Sequence, residues 1–178
     1  MTAFTIEVKD EEVRAKLKAL AERSINMRAV LQTIGEGIIE RTKHRFDTST
    51  DPAGHPWHKH KDATLAMLSK RLSGAKSNIK KNGSLNAKGQ RAYANKKLLV
   101  DTGFLRQQIV QSATSNALTV SATAKYAAVH QFGGKAGRGK KVTIPARPFL
   151  PIYKNGTLYP KERTEILNAI NAYLMDGL

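Results

Sequence analysis

The chain of 178 residues contains no cysteine, which excludes disulfides, thiolate nucleophiles and cysteine-held zinc or iron–sulfur centres and suits a reducing compartment. No apolar run approaches the roughly 20 residues that span a bilayer. The opening "MTAFTIEVKDEE" is too acidic and too poor in apolar residues for a signal peptide, so synthesis and folding in a cytoplasm are expected. Carboxylates are scarce in the middle of the chain: Asp62 and Asp101 are the acids between 52 and 161. A metal-dependent nuclease needs clustered carboxylates, and that pair is too sparse to supply them.

What the chain has is positive charge, a formal +16, and it is segregated. Residues 1–51 hold nine Lys/Arg against nine Asp/Glu, and residues 148–178 hold three of each. Residues 52–97 carry eleven basic residues against one acidic, and residues 135–147 carry five against none. A focused field points to a polyanionic or acidic partner, because solubility alone does not require focusing. The plainer reading is a solvated, lysine-rich loop.

The length fits one domain, 1–178, with one sizeable core. "AFTIEV" (3–8) alternates as a strand with Phe4, Ile6 and Val8 on one face. Asp10 is an N-cap candidate for a helix with Val13, Leu17 and Leu20 on its apolar side. A longer helix is predicted from near Met27 to Phe46, striped by Val30, Leu31, Ile34 and Ile38, with Gly35 and Gly37 weakening its middle or permitting close approach of another backbone. A short helical patch follows at Leu65–Leu72. The stretch 73–97, rich in Gly, Ser, Asn and Lys, reads as a flexible basic excursion. "RQQIVQSAT" and "ALTVSAT" form a hairpin, "KYAAVHQF" a short helix stopped by Gly133–Gly134, and Val142–Ile144 a strand. Pro160 opens the last helix, with Ile166, Leu167, Ile170 and Leu174 as its stripe. The expected fold is α+β: an antiparallel sheet of the N-terminal strand, the hairpin and the 142–144 strand, with long helices packed on one face and projecting basic loops.

Candidates for chemistry are weak. "HPWHKH" places His55, His58 and His60 close together, but no carboxylate pair supports them, and the segment reads as a surface turn anchored by a buried Trp57. His130 and Asp101 lack any G-x-S-x-G nucleophile. "GKAGRGKK" (134–141) is a basic loop rather than a phosphate-binding turn. No catalytic residue, metal site or cofactor is expected. The interaction candidates are Lys80, Lys81, Lys96, Lys97, Arg138, Lys140 and Lys141. Tyr93 is the one aromatic in the basic excursion, so any DNA or RNA contact would be with phosphates and nonspecific.

Three strings in order, "LLVDTGFLRQQI", "YAAVHQFGG" and "IPARPFLPI", preceded by "DPAGHPWHKHKDATLAML", resemble the phage virion morphogenesis family, the tail completion proteins of Mu-like and P2-like phages. The resemblance spans about residues 27 to 152, and the ordered combination is far more specific than any one string. It implies a noncatalytic assembly protein in a phage or prophage, acting in the host cytoplasm and then in the virion where tail meets neck. It also implies a ring of copies whose partners are itself and tail or neck proteins, and no membrane. The rival function is nonspecific nucleic-acid binding through 73–97 and 135–147.

The motif residues have physical readings of their own. Asp101 or Thr102 caps a turn, Gly103 makes it tight, and Phe104 and Leu105 are buried before Arg106 and the hairpin. Tyr126 and Phe132 anchor a close-packed helix that carries His130, and Gly133 releases the chain. Arg147, Pro148 and Phe149 belong to a stiff extended arm docked on the sheet. On this reading "YAAVHQFGG" is packing and punctuation.

Overall fold

A computed structural model of the protein describes residues 10–176; the strand expected at 3–8 lies outside the described residues. Helix α1 (Glu11–Ile25) starts after Asp10, whose carboxylate pairs with Arg14 at 2.6 Å rather than capping the helix. Val13 and Leu17, the expected inner stripe, are exposed. The contact α1 does make is with the last helix, where Arg23 donates to the carbonyl of Leu174 at 2.9 Å.

Helix α2 (Arg28–Thr48) is the spine. Val30, Ile34 and Ile38 recur at helical spacing and are buried against Leu118 and Val120 of a hairpin on one side and Ile166 and Ile170 of a helix on the other. The hairpin pairs β1 (Ile109–Ala113) with β2 (Leu118–Ala122), from Ile109 opposite Ala122 to Ala113 opposite Leu118. Its tip also holds the start of α2, because the Ser115 carbonyl accepts the Met27 N–H at 2.9 Å. Gly35 is the point of closest approach: a Cβ there would lie 2.8 Å from Leu118 Cδ1 and 3.0 Å from Gln111 Oε1. The sequence signal pointed to another backbone; what approaches Gly35 is the side-chain layer of the hairpin, and Gly37 meets only the guanidinium of Arg41.

At the other end of α2, Phe46 is fully buried with Trp57, Leu105, Ile109, Ala127 and Phe149. Phe46 meets Trp57 edge-on at 5.5 Å and Phe149 at 5.3 Å, geometries that aromatic quadrupoles favour. Helix α3 (Asp62–Ser73) buries Leu68 and leaves Met67 exposed.

Two sequence expectations change. The stretch 73–97 holds a 3-10 turn at Lys76–Asn78, a bridge between Ile79 and Leu85, and helix α4 (Ala87–Ala94). Its order comes from Asn86, which accepts the Gly89 N–H at 3.0 Å and donates to the Ser77 carbonyl at 3.0 Å. A short helix set by one capping side chain has no apolar stripe to read. "GKAGRGKK" is likewise not all loop, since β3 (Gly134–Ala136) pairs antiparallel with β4 (Val142–Ile144). The 142–144 strand therefore belongs to a second two-stranded sheet, separate from the hairpin. Three-residue strands are too short to show alternation.

Helices α5 (Phe104–Gln107) and α6 (Ala127–Phe132) are single short turns. Helix α7 (Pro160–Met175) begins with proline at its first turn and lies on α2. The fold is α+β.

Candidate functional site

"DPAGHPW" forms a closed loop after α2. Asp51 Oδ1 accepts the N–H groups of Ala53 at 2.9 Å and His55 at 2.8 Å, and Trp57 N–H returns to the Ser49 carbonyl at 2.8 Å. That closure turns Trp57 back onto Phe46, and the indole N–H donates to the Pro148 carbonyl at 2.9 Å. Trp57, Pro148 and Phe149, far apart in sequence, are thus one structural unit.

The arm "IPARPFLPI" is held by buried polar side chains. Arg147 donates to the carbonyls of His58 and Lys59, each at 2.9 Å, and its own N–H to the His130 carbonyl at 2.7 Å. Gln131 holds four backbone groups: its Oε1 accepts the N–H of Phe149 and of Leu150 at 2.9 Å, and its Nε2 donates to Leu150 O at 2.9 Å and Ile152 O at 3.0 Å. Arg45 donates to the Phe149 carbonyl at 2.9 Å and to Glu162 at 3.2 Å, and Arg41 pairs with the same carboxylate. Burial lowers the pKa of Arg45 and, more simply, of Arg147, because a dry site disfavours the charged form; Glu162 opposes this for Arg45.

In α6 the anchors differ from those expected. Tyr126 and Phe132 are exposed, and the buried residues are Ala127 and Gln131. Their places follow from Gly133, whose φ of +71° and position against Ala146 (2.9 Å from a Cβ to its nitrogen) fix where α6 ends. Tyr126 stands edge-on to His130 at 5.8 Å. Burial and the nearby Arg147 charge lower the His130 pKa, and its Nδ1 has no hydrogen-bond partner among the described residues. Phe104 is also exposed, whereas Leu105 is buried; Thr102 Oγ1, not Asp101, accepts the Phe104 N–H at 3.3 Å, and Gly103 sits at φ +80°.

Between α3, the segment 96–105 and the 126–130 and 144–147 stretches lies a cleft of about 740 Å³. Its wall includes Asp101, Thr102, Gly103, Leu105, Tyr126, His130 and Arg147, so the motif strings converge on it. Asp101 is shared by Arg71, at 3.1 Å, and Lys96, and these two cations hold its carboxyl at a pKa of about 2. Nearby, Asp47 is shared by Lys97 at 3.4 Å and Arg106 at 2.7 Å.

The interaction candidates therefore divide. Lys96 and Lys97 line the cleft within ion pairs. Lys80 and Lys81 lie on the turn of the Ile79–Leu85 bridge, and Arg138, Lys140 and Lys141 at the tip joining β3 to β4, all exposed and none lining the cleft. Two of the three histidines of "HPWHKH" have separate neighbours: His55 Nδ1 lies 3.3 Å from Asp51, and His60 Nε2 3.1 Å from the Lys96 carbonyl. Among the described residues no group of three His, Cys, Asp or Glu is placed to hold a metal. Sequence reasoning missed Gln131, Arg45, Arg71 and the Arg41–Glu162–Arg45 cluster; the i, i+4 spacing of Arg41 and Arg45, which puts both on one face of α2, was the available signal.

The model of the phage virion morphogenesis family matches residues 8–175. The chain belongs to that family. Mu-like prophage FluMu G protein 2 of Haemophilus influenzae is 48% identical over 75 residues, which is 42% of this chain and 50% of that protein. The chain thus spans half the length of that relative. No solved structure matches. Membership of the virion morphogenesis family gives the chain a role in phage assembly.

Proposed function

We propose that the protein is a noncatalytic subunit that completes the tail where it meets the neck, assembled as a ring of copies in the host cytoplasm and retained in the virion. The observation that carries this reading is how the motif residues are used. Trp57, Gln131 and Arg147 direct their polar groups to this chain's own backbone, so these residues of the motif strings build a scaffold. A catalytic constellation would instead aim a nucleophile, a base and an orienting acid at one another. Its partners are further copies of itself and tail or neck proteins.

The test is complementation of a phage lacking the gene. Heads and tails that accumulate unjoined or with aberrant tail ends, rescued by the wild-type chain and by His130→Gln, are expected. Normal particles without the protein would overturn the reading, as would loss of rescue by a folded, ring-forming His130→Gln chain.

The second reading is nonspecific nucleic-acid binding, favoured by the exposed cations Lys80, Lys81, Arg138, Lys140 and Lys141 on two turns. If these hold phosphates, neutralising them flattens the slope of log affinity against log salt by about one unit per lost contact. Tight, steeply salt-dependent DNA binding together with normal tails from the neutralised chain would promote this reading over the first.

A further inference from the structure

The cleft combines two features that a folded surface ordinarily keeps apart. Met67, Phe104 and Tyr126, which are 74%, 48% and 44% exposed, all line it, above a floor that includes Leu68 and Leu105. Around this apolar surface stand Lys61, Arg71, Lys96, Lys97 and Arg147, with Asp101 the one carboxylate in the lining.

Asp101 is shared between Arg71 and Lys96, and Asp47 between Lys97 and Arg106, so four cations share two carboxylates and each cluster keeps a net positive charge. Lys61 and Arg147 donate to backbone carbonyls, which orient them without neutralising them. Arg71 and Lys97 remain exposed to an incoming group.

Resting on the assembly reading above, we infer that this cleft is the docking site for an acidic, apolar segment of a neighbouring virion protein. Apolar side chains of that segment cover Met67, Phe104 and Tyr126, and its carboxylates complete the half-neutralised pairs at the rim. Methionine suits such a surface because its unbranched side chain adapts to its partner. Charge complementarity selects this occupant over the alternatives. The rim, with Asp101 its one lining carboxylate, favours an acidic occupant, whereas the exposed turns that a second copy would offer, at Lys80 and Lys81 and at Arg138, Lys140 and Lys141, are themselves basic. Nucleic acid would leave the apolar floor uncovered, and Tyr126 already stands edge-on to His130.

The experiment uses the full chain and a short fluorescent peptide built of Glu and Leu, followed by anisotropy near physiological salt. Controls are a Glu/Ser peptide, a Lys/Leu peptide and a random-sequence DNA duplex. The Glu/Leu peptide is expected to bind, and more tightly than the controls. Arg71→Ala with Lys97→Ala should weaken it about tenfold, a factor typical of losing an interface residue of real weight. Met67→Glu, at an exposed helix position that leaves the core untouched, should abolish binding, whereas Lys80→Ala with Lys140→Ala should leave it unchanged.

Absence of Glu/Leu binding overturns the inference. So does equal binding of the Glu/Ser peptide or the DNA, or a loss that follows the turn lysines instead of the cleft. Cleft variants that change sedimentation while peptide binding persists would assign the surface to a second copy. In complementation, full rescue by Met67→Glu removes the docking site alone, while normal particles without the protein remove the assembly reading itself.

Discussion

Replacing Gln131 by methionine tests the scaffold where it is most concentrated. The two side chains are similar in length and volume, so packing changes little and the polar contacts are what is lost. Gln131 is 3% exposed, and its amide serves the N–H groups of Phe149 and Leu150 and the carbonyls of Leu150 and Ile152. The Leu150 carbonyl retains a second partner, the Ile152 N–H at 2.8 Å. Three backbone groups are therefore orphaned. At about 1–2 kcal/mol for each buried group without a partner, the expected loss is ~3–6 kcal/mol. That is a large share of the roughly 5–15 kcal/mol that holds a typical domain together. The assay is urea unfolding followed by the fluorescence of Trp57, the one tryptophan, which touches Phe46 and bonds to the residue preceding Phe149. A loss below about 1 kcal/mol with an unchanged urea slope would refute the clamp. Gln131→Glu gives an independent check. It keeps the acceptor but faces a carboxylate to two carbonyl oxygens, so that variant should gain stability as acid protonates it.

Glu162→Gln should lower stability by about 3 kcal/mol in the same assay, because it leaves the buried Arg45 without its carboxylate; Arg41, partly exposed, contributes little. Gly37→Ala should stabilise α2 by ~0.5–1 kcal/mol, since a Cβ there meets the movable end of Arg41, whereas Gly35→Ala should forfeit that gain against Leu118 and Gln111. Stability should fall with acid in two windows, read by thermal melts across pH. The first opens below about pH 6.5, where the unfolded chain takes up a proton that the half-buried His130 resists, and His130→Gln should remove it. The second runs from about pH 4 down towards 2 as Asp101 is protonated; it should be small because that pair is exposed, and absent in Asp101→Asn.

Much of the fold was legible in periodic segments. The span of α2, the hairpin at 109–122 and the start of α7 at Pro160 follow from apolar spacing and turn chemistry that tertiary contacts reinforce. Trp57 was legible as an anchor because an isolated indole among turn formers has few other uses. What did not show were elements set by single polar side chains. Asn86 makes α4, and Gln131 makes the arm, yet each is written in the sequence as an ordinary amide. The exposure of Val13 and Leu17 was hidden for the opposite reason: spacing defines an apolar face but does not say what covers it. Phe104 and Tyr126 misled in the same way, since a large apolar residue in a motif reads as core until its position on the cleft is known.

The basic residues show why total charge says less than its arrangement. A lysine on an exposed turn, such as Lys81 or Lys140, offers a cation that any anion can meet and that salt readily screens. A cation such as Arg71 or Lys97 shares its carboxylate with a second cation, so an uncompensated charge remains beside the apolar cleft. The first arrangement favours encounter and the second favours selection, because a partner there must match a carboxylate to the rim and an apolar side chain to the floor beside it. Sequence segregation alone merges the two kinds of charge within residues 52–97. The structure separates them, and the separation makes opposite predictions: neutralising the turns should alter the salt dependence of association, whereas disturbing the cleft should alter which partner is accepted.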